Sequence, residues 1–214
     1  MSAERATLQT GAEALGTPIT EAQADTLLAY LALLQRWNAT HNLTAIRDPA
    51  AMLTQHLADC LAVIPPLRRH LPQGRLLDVG SGGGLPGVVV AVMQPGIDVT
   101  CVDAVGKKAA FVRQVAGVLG LRNLHAAHAR VEDLREAPFD VITSRAFASL
   151  ADFVALTRRH LGADGVWLAM KGREPADEIA ALPADVEVFH VEPLQVPGLD
   201  AQRCLVWMRP RQSP

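Results

Sequence analysis

Residues 75–87, Arg-Leu-Leu-Asp-Val-Gly-Ser-Gly-Gly-Gly-Leu-Pro-Gly, carry the clearest chemical signal in this chain of 214 residues. A short apolar run ends in an acid, Asp78, and five glycines (80, 82, 83, 84 and 87) follow within eight residues. Glycines at that density let a backbone turn sharply off a strand and lie against a ligand where side chains would collide. The apolar stretch Val88 to Met93 reads as a helix whose free N-terminal amides face the turn. The expectation is a nucleotide-like cofactor at the C-terminal end of the first sheet strand.

Two cofactor classes compete for that turn. Gly82-Gly83-Gly84-Leu85-Pro86-Gly87 matches the dinucleotide pattern G-x-G-x-x-G. In that pattern, however, the first glycine directly follows the strand. Here that glycine is Gly80, and counting from it puts Leu85 at the third glycine position. The spacing Asp78, Gly80, Gly82, Gly84 resembles instead the cofactor loop of class I S-adenosylmethionine methyltransferases. Asp78 suits an ammonium, directly or through water, and would repel a diphosphate. The next strand, Ile97 to Asp103, alternates β-branched residues and also ends on an acid. Asp103 lies 23 residues past Gly80, where an acid takes up ribose hydroxyls in either class.

These residues need a sheet to hold them, and the remaining pattern supplies one. From Arg75 onward strands and helices alternate: strands at 75–80, 97–103, 124–129, 139–144 and 165–170, helices at 86–94, 107–120, 149–161 and about 174–182. The chain finishes on two strands, Val186 to Val191 and Arg203 to Met208, with no helix between them. A mostly parallel seven-stranded sheet ending in a hairpin is the methyltransferase arrangement, whereas repeated βαβ halves would favour a dinucleotide fold. Ahead of the sheet, Thr20 to Trp37 reads as an amphipathic helix, with Thr20 and Gln23 spaced as a capping box. Asp48-Pro49 opens a second helix, running to about Ile64 before Pro65-Pro66. The expected organisation is an N-terminal helical extension over 1–72 and one α/β domain over 73–214.

Composition narrows the function classes. Half the residues are hydrophobic, with no run long enough to span a bilayer. The first 15 residues lack a basic start and an apolar core, so no signal peptide is expected. Cys60, Cys101 and Cys204 lie far apart in apolar settings and read as buried thiols of a reducing cytoplasm. His125 and His128 form the one close histidine pair, without the further ligand a metal site needs. A net charge of −2 argues against indiscriminate nucleic-acid binding. The charge is uneven, −3 over residues 1–64 and +1 over the rest, and 17 of the 20 basic residues are arginine. Arginine suits phosphate forks and base stacking, so a specific RNA substrate is permitted but not required.

Several blocks carry a family resemblance: Trp37-Asn38 with Asn42-Leu43-Thr44-Ala45-Ile46-Arg47-Asp48-Pro49, His56, the glycine turn, and Lys107-Lys108. Further on come Arg130-Val131-Glu132, Ser144-Arg145-Ala146-Phe147-Ala148, Met170-Lys171-Gly172, and residues 194–200 followed by Arg203. On these, the chain is similar from Tyr30 to Met208 to the RsmG family, also called glucose-inhibited division protein B. That family methylates N7 of one guanine in bacterial 16S ribosomal RNA. The resemblance implies a class I, Rossmann-like fold, S-adenosyl-L-methionine as cofactor, and 16S RNA or the small ribosomal subunit as partner. It also implies a cytoplasmic enzyme acting as a monomer, without metal or membrane.

Residue by residue, the resemblance puts Gly80 and Leu85 at the methionine end of the cofactor, in the turn where the spacing above already places Asp78 and Gly82 as cofactor-binding residues. Asp103 would take the ribose, and Val131 and Glu132 the adenine. Arg145 would face the transferred methyl and the substrate, serving cofactor binding and catalysis. Its position after the fourth strand agrees, since ligands of open α/β sheets sit beyond the strands' carboxyl ends. The plain alternative for Arg145 is a salt bridge to a nearby acid. Asn42, Lys171 and Arg203 would contact RNA, against turn hydrogen bonding for Asn42 and Thr44 and solvated charge for the two cations. Gly83, where the family often carries proline, would leave the turn more mobile. From other classes stand a nicotinamide-dependent oxidoreductase and a non-catalytic RNA-binding assembly factor with a relic pocket.

Overall fold

The structure is a computed structural model that describes residues 3–136 and 138–211. Seven strands form one sheet: β1 Gly74–Val79, β2 Ile97–Asp103, β3 Leu124–His128, β4 Phe139–Arg145, β5 Leu161–Lys171, β6 Val186–Leu194 and β7 Arg203–Pro210. Their order across the sheet is β3-β2-β1-β4-β5-β7-β6. β1 to β5 run parallel, while β7 is antiparallel to both β5 and β6. The order reverses between β1 and β4, which leaves a crevice above their carboxyl ends.

Both faces of the central strands are buried, and strand alternation divides their side chains between two cores. Leu76, Val99, Cys101, Val141, Leu168 and Met170 face one side; Leu77, Val79, Val102, Ile142, Trp167 and Ala169 face the other. The first side is covered by α1 Ala3–Ala14, α2 Glu21–His41, α5 Ile64–His70, α6 Gly87–Met93, α7 Gly106–Leu119 and the short helical turns between α2 and α5. The second is covered by α8 Leu150–Thr157, with Ile179 of α9 Ala176–Ala180 at its margin. Trp167, the largest fully buried side chain, keeps its polar atom satisfied by donating to Thr157 Oγ1 at 2.9 Å.

The helical extension shares its core with the sheet. Leu8, Leu27, Tyr30, Leu34 and Leu57 belong to the same apolar cluster as Leu76, Val99 and Val141. The capping box at the head of α2 forms in both directions: Gln23 N donates to Thr20 Oγ1 at 3.2 Å, and Thr20 N to Gln23 Oε1 at 3.0 Å. α2 runs four residues past Trp37 and ends on Asn42, which takes a left-handed conformation at φ 49°. The first helix, α1, lies ahead of the first helix read in the sequence and is an addition to the expected elements.

The segment after Pro49 departs most from expectation. Asp48 caps it through Ala51 N at 2.7 Å, but no single helix runs to Ile64. Instead α3 Pro49–Met52 leads into a π-turn, Leu53–Ala58, then α4 Asp59–Leu61 and a break. α5 then begins at Ile64 and carries Pro65 and Pro66 in its first turn, where their missing N–H groups cost nothing. Similarly, α8 stops at Thr157 and a 3₁₀ turn, Arg158–His160, leads straight into an 11-residue β5.

Because the core is common, damage to the extension should reach the sheet. Leu27 is fully buried, and Leu27→Ala is expected to cost about 2–5 kcal/mol of global stability. Denaturant unfolding followed by far-UV circular dichroism should remain one transition, shifted as a whole. A separate early transition that left the sheet untouched would contradict the shared core.

Candidate active site

The turn after β1 is built from side chains that reach it from three elements. Asp78, at the penultimate position of β1, is fully buried behind the turn, and its Oδ2 accepts Gly87 N at 2.9 Å. From the end of β2, Asp103 Oδ2 accepts Gly82 N at 3.0 Å and Oδ1 accepts Val105 N at 2.8 Å. From α2, the buried Tyr30 hydroxyl donates to the Gly83 carbonyl at 2.7 Å. Burial pushes the Tyr30 phenol well above its ordinary pKa and keeps it a donor. Gly83 is therefore clamped rather than loosened: a Cβ there would lie 3.1 Å from Leu34. Glycine is required at Gly80, whose φ is +64°. A Cβ at that position would stand 2.9 Å from the Phe147 ring.

Two cavities meet at Gly80 and Ala146. The larger, about 550 Å³, is floored by the turn from Gly80 to Gly83 with Leu85, and walled by Thr44, His56, Asp59, Arg145, Lys171 and Arg203. The smaller, about 390 Å³, is lined by Asp103, Lys108, Arg130, Val131, Glu132 and Phe147. The chain divides them after β4, where Ala146 adopts φ 57°. That left-handed turn, uncommon for a residue with a Cβ, sends Arg145 to one cavity and Phe147 to the other.

Arg145 is held on the extension. Its Nη1 donates to the Gln55 carbonyl at 3.0 Å and lies 3.4 Å from Asp59 Oδ2, while Nη2 is 3.5 Å from His56 Nδ1. The π-turn makes the first contact available. Asp59 N–H bonds back to the carbonyls of Thr54 and His56, not to Gln55 as an α-helix would require. His56 Nε2 faces Thr44 Oγ1 at 3.0 Å. Burial and the adjacent Arg145 charge lower His56 to about 4, so the ring is neutral at physiological pH. Since a guanidinium only donates, Nδ1 is assigned as acceptor and Nε2 as the protonated nitrogen.

The remaining sequence-derived residues divide. Gly80, Gly82, Leu85, Arg145, Lys171 and Arg203 line the larger cavity; Asp103, Val131 and Glu132 line the smaller. Asp78 stands on neither wall. Its carboxylate closes the turn onto α6, and burial raises it to about 7. Asn42 lines neither cavity; its side chain accepts from Arg47 at 2.8 Å and closes the turn after α2. Lys171 donates to Glu178 at 2.8 and 3.0 Å. Outside the site, His125 pairs with Asp98 and His128 faces the Ala104 carbonyl. Sequence reasoning missed Asp59, Gln55 and Tyr30, which act at long range on the residues it found.

The paired cavities fit a ligand with two unlike ends, one lying against the side-chain-free glycine turn and one against an acid that still offers acceptor lone pairs. Topology, turn and cavities together define a class I S-adenosylmethionine-dependent methyltransferase. Solved structures share that fold: a mutant of MtNAS in complex with S-adenosylmethionine has a TM-score of 0.60 at 15% identity, covering 86% of this chain and 76% of that one. TrmN from Thermus thermophilus has a TM-score of 0.56 at 19% identity, covering 74% and 53%. In sequence, the profile of rRNA small subunit methyltransferase G matches residues 23–206, and the chain belongs to that family. Proteins named ribosomal RNA small subunit methyltransferase G are 63% identical in Leptothrix cholodnii (99% of this chain, 98% of the relative) and 62% identical in Acidovorax sp. strain JS42 (95% and 94%). Family membership sets the nicotinamide alternative aside.

The buried acid gives a test of the turn. Asp78 has a folded pKa of about 7, above its ordinary 3.8. Between those values the folded state keeps a proton that the unfolded chain has released. The group's contribution to stability is therefore lost as pH rises across that window and is level above it. Asp78→Asn removes the titration while keeping an acceptor for Gly87. The melting-temperature difference, variant minus wild type, should grow from about pH 4 to about pH 7 and then plateau. A difference independent of pH would contradict this burial.

Proposed function

We propose that this enzyme transfers a methyl group from S-adenosylmethionine to N7 of a guanine in 16S ribosomal RNA, in the cytoplasm. The observation that carries the reading is the larger cavity. It joins the glycine turn to three cations, Arg145, Lys171 and Arg203, at the carboxyl ends of β4 and β5 and the start of β7. When bound, the cofactor supplies an electrophilic methyl group on a sulfonium. The turn from Gly80 to Leu85 would hold its amino-acid end, Asp103 its ribose, and Val131 with Glu132 its base.

What the chain contributes is alignment. Guanine N7 carries an in-plane lone pair, so no proton leaves before attack. Arg145, fixed by Gln55 and Asp59, would orient the base, while Lys171 and Arg203 at the cavity rim would meet the RNA backbone. Leu34, Leu43 and Met170 supply apolar wall that excludes water. His56 is poorly suited as a base, because burial and Arg145 lower its pKa to about 4 and both ring nitrogens are engaged by Thr44 and Arg145. Cys60, pushed up to about 12 by burial, is no nucleophile either.

The deciding measurement is labelled-methyl transfer to ribosomal RNA from a strain lacking this enzyme, followed by mapping of the modified base. Label at N7 of a guanine in 16S RNA is expected. Label elsewhere overturns the assignment, and no label from protein that binds S-adenosylhomocysteine leaves only an RNA-binding role. At saturating RNA and cofactor, the single-turnover rate should vary little between about pH 6 and pH 9. A tenfold rise per pH unit through that range would reveal an essential base.

A further inference from the structure

Arg145 ends β4 and Arg203 opens β7, yet one carboxylate holds both. Arg203 Nε donates to Asp59 Oδ1 at 2.8 Å, and Arg145 Nη1 lies 3.4 Å from Asp59 Oδ2. The Asp59 side chain is 5% exposed, against 24% and 27% for the two arginines. The acid is thus the inner member of the triad and the cations are its outer arms. Without it, two guanidiniums on one cavity wall would repel and swing toward solvent. The acid is itself placed by the π-turn, whose shifted ladder leaves the Gln55 carbonyl for Arg145.

We propose that Asp59 is a positioning residue for methyl transfer. It fixes the guanidinium planes of Arg145 and Arg203 before RNA arrives, and its charge offsets theirs so that the cavity does not seize phosphate indiscriminately. The proposal rests on the reading of this cavity as the RNA methylation site. It separates two quantities that a purely structural acid would move together. Asp59→Asn keeps the shape and an acceptor for Arg203 but removes the charge. Turnover then loses geometry, while RNA binding gains one net positive charge.

The experiment measures kcat, RNA KM, the salt dependence of RNA binding and S-adenosylhomocysteine affinity for wild type, Asp59→Asn and Asp59→Glu. For Asp59→Asn, kcat should fall roughly tenfold to a hundredfold, the range expected for a misplaced reacting group. RNA KM should be equal or lower, and the slope of log affinity against log salt steeper by about one counterion. Cofactor affinity should stay within about twofold, since Asp59 touches neither the turn nor the smaller cavity. Asp59→Glu restores the charge but displaces it by one methylene, so the salt slope should return while kcat stays reduced. Unchanged kcat in Asp59→Glu, a raised RNA KM in Asp59→Asn, or losses of kcat and cofactor affinity in step would each overturn the proposal. If wild type itself transfers no methyl to ribosomal RNA, the activity reading fails, and the salt slopes alone then decide whether Asp59 tunes the cavity charge. Should Asp59→Asn not fold, the Asp59→Glu arm carries the test.

Discussion

The turn between β1 and α6 cannot hold its own shape. Five of its eight residues from Gly80 to Gly87 are glycine, the residue with the most conformational freedom to lose. Its order is imposed from outside: Asp78 fixes the end at Gly87, Asp103 the middle at Gly82, and Tyr30 the top at Gly83. Each anchor comes from a different element. The turn is therefore as rigid as the packing of β1, β2 and α2 together. This explains why the helical extension shares its core with the sheet: the Tyr30 hydroxyl can reach Gly83 only if α2 is locked against α6 and α7.

The site's electrostatics follow from pairing rather than from bulk charge. The chain carries a net −2, yet Arg145, Arg203 and Lys171 converge on one cavity. Each has an acid partner, Asp59 for the arginines and Glu178 for the lysine. Partly buried pairs of this kind add little to net stability, because desolvation offsets attraction. Their use lies in fixing where the donors point. Glu178 also accepts Leu150 N at 2.8 Å, which ties Lys171 to the head of α8. The cations are mounted on the scaffold.

Local signals were legible in the sequence and long-range ones were not. The capping box at Thr20, the glycine turn and the alternating strands each announce themselves within a few residues, and each is present, though β5 starts four residues before the strand read at 165–170. The helix from Asp48 failed because π-geometry has no composition signature; Leu53–Ala58 looks like ordinary apolar helix. Asp59 sits inside the run His-Leu-Ala-Asp-Cys-Leu, an acid among core residues with no partner nearby. Its partners lie 86 and 144 residues downstream. Asp78 shows the converse. Its spacing to the glycines was readable, but its burial behind the turn was not, because that depends on Cys101 and Gly87 packing over it.

The extension also answers a geometric problem of this fold. An open α/β sheet offers a crevice at its strand ends but no far wall, and methyl transfer needs water kept out and two large molecules aligned. Here the missing wall comes from residues 34–59: Leu34 from α2, Leu43 to Ile46 from the loop, and Gln55, His56 and Asp59 from the π-turn and α4. Asn38 braces the loop by accepting Thr44 N at 2.9 Å and donating to the Ile46 carbonyl at 3.4 Å. Thr44 in turn meets His56, which stands against Arg145. One chain of hydrogen bonds thus runs from the last turn of α2 to the cation at the end of β4. The wall is continuous with the residue it positions, so the N-terminal helices and the sheet together enclose a single cavity that neither forms alone.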